Sequence, residues 1–172
     1  AAELRQVLAD HPHVLVIEDD HFSLLSTSQY HTLIPAGHER WALVRSLSKF
    51  LGPDLRVAVV ASDLVTAERF ATQIGAGTKW VSHHLQRTVH ALLGDARVRA
   101  RIEKAGAHYK DRNSRFIRLL EERGITAIGD DGVNIWIDTG PGGDTDAVTA
   151  QLMRRGWVVR TGHSFALGTD SG

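Results

Sequence analysis

The sequence contains no cysteine. That excludes disulfides and thiolate metal sites, and it fits a cytosolic protein. There is no surplus of positive charge: 20 lysines and arginines balance 20 acids. A nucleic-acid-binding domain carries a basic surplus or stripe, so this stretch is not expected to be the DNA-binding part of anything. No apolar run approaches the ~20 residues of a membrane-spanning helix. The opening "AAELRQVLAD" reads as a helix and lacks the charged start and apolar centre of a signal peptide. Internal repeats and low-complexity segments are absent. The ten histidines show no pair with the spacing and acidic company of a zinc-binding helix.

What is present is an alternation of short apolar runs and helical patterns. "VLVIEDD" (Val14 to Asp20), "WALVRSL" and "LRVAVVAS" are continuous apolar runs of the kind that form buried, parallel-type strands. "DLVTAERFATQIG" reads as a helix capped by Asp63 and stopped by Gly75, and a second helix is expected from Trp80 to Leu93. From Asp95 to Arg123, Val98, Ile102, Ala105, Tyr109, Phe116 and Leu120 recur at helical steps among charged residues. That pattern predicts a long helix with one wet face. Beyond Gly124 the pattern changes. "GVNIWID" alternates as a half-buried strand would, "DAVTAQLMRRG" predicts a helix, and "WVVRTG" a further strand. Trp80, Trp136 and Trp157 read as core or interface residues. The expectation is an α/β part over residues 1–95, then a connecting helix and a small α+β part over residues 96–172.

Three polar clusters sit at the ends of the apolar runs. Asp19 and Asp20 close the first strand, Ser46, Ser48 and Lys49 close the second, and Arg56 opens the third. In an open parallel sheet, ligands bind beyond the carboxyl ends of the strands. A carboxylate, an amine, hydroxyls and a guanidinium together suit pyridoxal phosphate. Its aldehyde is captured by a lysine, its ring nitrogen needs a carboxylate, and its phosphate needs hydroxyls and an arginine fork. Each residue has an ordinary reading as well. Lys49 alone would be an exposed turn lysine, Asp19 a strand-end cap, and Ser48 a turn stabiliser. Asp19 and Asp20 are adjacent, and the sequence alone does not separate them. Ser46 and Ser48 alternate, so on a strand they would face one side.

"SLSK" followed seven residues later by arginine, after "VIEDDHF", resembles the cofactor region of fold type I aminotransferases. "AHYKDRNSRF" and "GVNIWID…GWVVRTGHSF" resemble that family's connecting helix and small domain. Within it, "VLVIEDDHFSLLS", "RWALVRSLSK", "LGPDLRVAVVASD" and "GTKWVSHHLQ" are most similar to the aminotransferase-like domain of MocR-type regulators of the GntR family. The resemblance covers essentially the whole chain. It implies part of a pyridoxal-phosphate-dependent large-domain sheet, a long helix and a small α+β C-terminal domain. It also implies that Lys49 forms the Schiff base, Asp19 pairs with the pyridine nitrogen, and Ser46, Ser48 and Arg56 hold the phosphate. His21 stands where most of the family has a tyrosine that bonds the ring hydroxyl.

The resemblance also implies segments that this chain does not contain. An upstream half of the large domain supplies the ring-stacking residue and further phosphate donors, and a downstream strand supplies an arginine for a substrate carboxylate. The chain therefore reads as a fragment, expected to bind the cofactor weakly or not at all, to be inactive as a transaminase and to self-associate. Two functions are implied. One is an effector-sensing regulatory domain in a cytoplasmic homodimer, which responds to a small amino compound or a B6 vitamer and reaches DNA only through an absent N-terminal winged-helix domain. The other is a catalytic class I/II aminotransferase, moving an amino group between an amino acid and a 2-oxo acid. No membrane partner is expected.

Overall fold

The structure, a computed structural model, describes residues 2–77, 80–129, 131–140 and 142–165. The chain divides into two compact units: Ala1–Arg112 with Asp131–Val133, and Asn113–Asp130 with Asn134–Gly172. The first holds α1 (Ala2–Ala9), β1 (Val16–Asp20), a 3-10 turn (Ser23–Leu25), β2 (Trp41–Ser46), α2 (Ser48–Leu51), β3 (Ala58–Ser62), α3 (Leu64–Ala76), α4 (His83–Gly94) and most of α5 (Ala96–Glu121).

The three strands form one sheet in the order β1-β2-β3. β1 and β2 are parallel, with Asp19 opposite Val44 and Asp20 opposite Arg45. β3 runs antiparallel to β2, with Ser46 opposite Ala58. The parallel reading of the third apolar run is thus corrected. A parallel crossover needs about a dozen or more residues, usually including a full helix. Residues 47–57 hold a single helical turn and are closed by Leu47 N–H donating to Val57 O at 3.2 Å. The expected burial of the strands is also only partial, since Ile17 and Val59 are exposed. Val16, Leu25, Ala42, Leu47, Val89 and Ile102 make the buried apolar core.

The helices start where side chains satisfy their free N–H groups. Asp63 caps α3, accepting from Thr66 N at 2.9 Å, while its other oxygen accepts from Trp41 N at 2.9 Å. Those bonds, from Thr66 first and Trp41 further down, hold its carboxyl at about 2. Ser82 caps α4 by accepting from Leu85 N. That helix therefore begins at His83 rather than at Trp80, which is exposed. On α5, Ile102 is buried and Gly106 faces the 3-10 turn. A Cβ at Gly106 would lie 2.6 Å from the Leu25 carbonyl oxygen, so only glycine admits this approach.

The second unit contains the end of α5, a two-residue antiparallel ladder of β4 (Ala127–Ile128) and β5 (Trp136–Ile137), and α6 (Thr145–Arg154) capped by Asp144. Two expectations change here. "WVVRTG" forms no strand: an extended segment needs a neighbour for its backbone groups, and residues 157–161 have no ladder partner among the described residues. On α5 the apolar position Phe116 is exposed, while Asn113 is buried. Trp80, Trp136 and Trp157 are all exposed within the chain, so none is a core residue of it. Trp136 meets Phe165 edge-on, with ring centroids 5.9 Å apart. Among the described residues, no helix is long and apolar enough to cross a membrane.

Candidate functional site

The pleat of β1 separates the two neighbouring aspartates, because successive side chains leave a strand on opposite faces. Asp20 shares its face with Arg45, directly opposite on β2. It accepts from Arg45 Nε at 3.0 Å and from Ser23 N at 2.7 Å, and its side chain is 15% exposed. The same face continues into a polar network. The Arg45 guanidinium lies 4.9 Å from the Tyr30 ring centroid. The Tyr30 hydroxyl, the Thr32 hydroxyl and the Leu33 N–H all donate to Glu18. Burial tends to raise the Glu18 carboxyl, but these donors outweigh it and hold it below the ordinary value. Burial and the Glu18 carboxylate push the Tyr30 phenol up to about 12.

Asp19 points to the other face. Its partner across the ladder is Val44, and Ser46 lies two residues further along β2 on the same side, a diagonal neighbour. Asp19 Oδ2 receives His21 Nε2 at 3.0 Å, and the two side chains are 57% and 53% exposed. The resemblance placed His21 against a cofactor hydroxyl; in the structure its outer ring nitrogen is engaged on Asp19.

Beyond Ser46 the strand ends, because Leu47 takes a helical backbone conformation and α2 begins at Ser48. Ser48 is therefore not a strand residue, and the alternation argument does not apply to it. The two hydroxyls nevertheless meet, with Ser46 Oγ 2.9 Å from Ser48 Oγ. Leu47, 4% exposed, anchors the corner. Full burial of a leucine side chain contributes about 1.5–3 kcal/mol. Gly52 ends the helical turn at φ +121, a conformation open to glycine. Lys49 projects from α2 and Arg56 precedes Val57, the residue that closes the corner; both are exposed. Neither side chain has a hydrogen bond or ion pair with the described residues. None joins Lys49 or Arg56 to Asp19 or to the serine pair.

Sequence reasoning missed the Glu18–Tyr30–Thr32 network and the role of Asp131. Asp131 accepts from the Ser26 hydroxyl, from Thr27 N at 3.3 Å, Ser28 N at 3.2 Å and Gly132 N at 2.8 Å. Burial works against its ionisation, and these donors together bring it down to about 2. Gly132, at φ +74, lies against Phe22, whose ring a Cβ there would meet at 3.2 Å. The segment 131–133 thus fastens the chain that follows His21. An Asp-Gly pair is a turn signal, but nothing in it names its distant partner.

The family model described as "Aminotransferase class I and II" matches residues 1–172. The chain is 41% identical over 171 residues to the vitamin B6 salvage pathway transcriptional repressor PtsJ of Salmonella typhimurium, covering 99% of this chain and 39% of that protein. Among solved structures it is similar to an aspartate aminotransferase mutant of Thermus thermophilus complexed with tryptophan, with TM-score 0.79, 21% identity, and 94% of this chain on 44% of that one. It is also similar to the aromatic aminotransferase of Pyrococcus horikoshii, with TM-score 0.77, 19% identity, and 89% of this chain on 42% of that one. These likenesses establish the α/β aminotransferase fold. The chain spans about two fifths of the length of the proteins it matches.

Proposed function

The chain belongs to the aminotransferase class I and II family, and from that premise we propose that it is the pyridoxal-phosphate-binding, effector-sensing part of a MocR-type transcriptional regulator. The observation that carries this reading is the set of polar groups at the carboxyl end of β2. A serine hydroxyl pair, and an amine and a guanidinium without partners among the described residues, lie beside the strand whose end presents Asp19 on the Ser46 face. The 41% identity to a repressor of vitamin B6 salvage favours a regulator over a catalyst.

The donor set fits the cofactor. Ser46, Ser48 and Arg56 would hold its phosphate through hydroxyl and charge-assisted bonds. Asp19 would accept a hydrogen bond from the protonated ring nitrogen, and Lys49 would attach the aldehyde. When bound, the cofactor supplies an electron sink and a carbonyl that captures amines. The chain's own residues orient it: the closed corner fixes the hydroxyls, and the β1–β2 register sets Asp19 relative to them. An amino compound or a B6 vitamer competing for the same site is the proposed effector. DNA would be reached through an N-terminal winged-helix domain of a homodimer in the cytoplasm.

The test is borohydride reduction of the full-length protein with pyridoxal phosphate, followed by peptide mass spectrometry. A cofactor mass on Lys49 is expected; a label elsewhere, or none, overturns the assignment. A change in the protein's affinity for operator DNA on adding the cofactor is expected of a regulator. An unchanged affinity, together with amino-group transfer, would instead make the protein an enzyme.

A further inference from the structure

The geometry points to His21 as a positioning residue that acts through Asp19 rather than as a contact to the cofactor's ring hydroxyl. The inference rests on the cofactor reading and adds a role to a residue within it. The pleat of β1 puts Asp19 on the Ser46 side of the sheet, and His21, the residue just past the strand's end, is brought to the same carboxylate by its ring. There His21 Nε2 meets Asp19 Oδ2 at 3.0 Å. Nε2 is the imidazole nitrogen farther from the backbone, and it is the one engaged on Asp19. An imidazole carrying its proton on Nε2 donates this bond whether it is neutral or charged.

The contrast with Asp20 shows what the bond achieves. Asp20 is oriented by Arg45 and by the Ser23 N–H. Asp19 is a strand-end carboxylate more than half exposed, and His21 is its one partner among the described residues. A carboxylate free to rotate must be ordered when a ligand arrives, which weakens binding. With Oδ2 held by His21, Oδ1 remains for a protonated ring nitrogen. His21 thus prepares the acceptor, and a ligand lacking that nitrogen gains nothing from it.

Three ligands separate the roles: pyridoxal phosphate, its analogue with carbon in place of the ring nitrogen, and its analogue lacking the ring hydroxyl. Binding of each is measured by fluorescence titration of the full-length protein and its His21→Ala and His21→Gln variants, with circular dichroism to check folding. His21→Ala is expected to weaken pyridoxal phosphate and the analogue lacking the hydroxyl equally, by roughly three- to tenfold. It should leave the carbon analogue unchanged, and His21→Gln, which keeps an N–H donor, should recover part of the loss. A loss that persists with the carbon analogue and vanishes without the hydroxyl would assign His21 to the hydroxyl and overturn the inference. Equal losses for all three ligands, or none, would overturn it as well. If the wild-type protein binds none of the three, the cofactor reading itself fails and this inference falls with it.

Discussion

The two faces of the β1–β2–β3 sheet differ in how their polar groups are occupied. On one face, Glu18, Asp20, Arg45, Tyr30 and Thr32 bond to one another and to backbone N–H groups. On the other, Asp19 has a single partner, the Ser46 and Ser48 hydroxyls have each other, and Lys49 and Arg56 at the adjoining corner have no side-chain partner among the described residues. A polar group whose bonds are satisfied within the fold contributes to holding it. A polar group left open costs little while solvated and is available to a ligand. Two arginines eleven residues apart thus differ: Arg45 is engaged within the fold, and Arg56 has no side-chain partner among the described residues.

The sharpest way to break this contrast is to truncate the two arginines separately in the full-length protein. On the proposed cofactor reading, Arg56→Ala is expected to remove a charge-assisted phosphate contact of about 1.5–3 kcal/mol and so to weaken pyridoxal phosphate by roughly ten- to a hundredfold. Arg45→Ala leaves that affinity nearly unchanged and lowers the melting temperature instead. Equal losses of affinity would erase the distinction between the faces.

The aspartates give a second comparison with a smaller effect. Asp20→Ala strips the Ser23 N–H and Arg45 of their acceptor, and is expected to cost about 1–2 kcal/mol of stability by denaturant titration. Asp19→Ala is expected to cost much less stability and to weaken cofactor binding. The opposite ranking would mean that strand parity has been assigned to the wrong carboxylate.

The smallest expected effect concerns acid. Asp131 titrates at about 2 in the fold against an ordinary value of 3.8. A depressed carboxyl stabilises the folded state above the ordinary value, and that contribution is lost as pH falls from there toward the folded value. Asp131→Asn should flatten stability between pH 3.8 and about 2 and cost about 1 kcal/mol at neutral pH, solvent screening at a partly exposed site included. An unchanged acid limb would show that the 26–28 loop is held by something else.

Much of this arrangement was legible in the residues, and the rest was hidden for identifiable reasons. Continuous apolar runs marked all three strands, and Asp63 marked the start of α3, because those signals are local. The direction of β3 was not, because it depends on how the corner closes, through the Leu47–Val57 bond. Asp19 could not be told from Asp20, since their faces are set only by pairing with β2, more than twenty residues away. The same register explains why the Glu18 network was missed: its donors lie in the irregular stretch Tyr30 to Leu33, which carries no periodicity to read. The last apolar run, "WVVRTG", had the composition of a strand and lacks a neighbour among the described residues.

The closed corner after β2 has a consequence for the order in which the site assembles. Ser46, Ser48, Lys49 and Arg56 lie within one short hairpin whose backbone bonds are local, and local contacts form early because they close small loops. Asp19 arrives only when β1 pairs in parallel with β2, a non-local step that closes a much longer loop. On the proposed reading, a folding chain would thus bring together the groups proposed to hold the phosphate before the aspartate proposed to meet the ring. The cofactor's charged end would then be able to act as a template, holding β2 and β3 together while β1 finds its register.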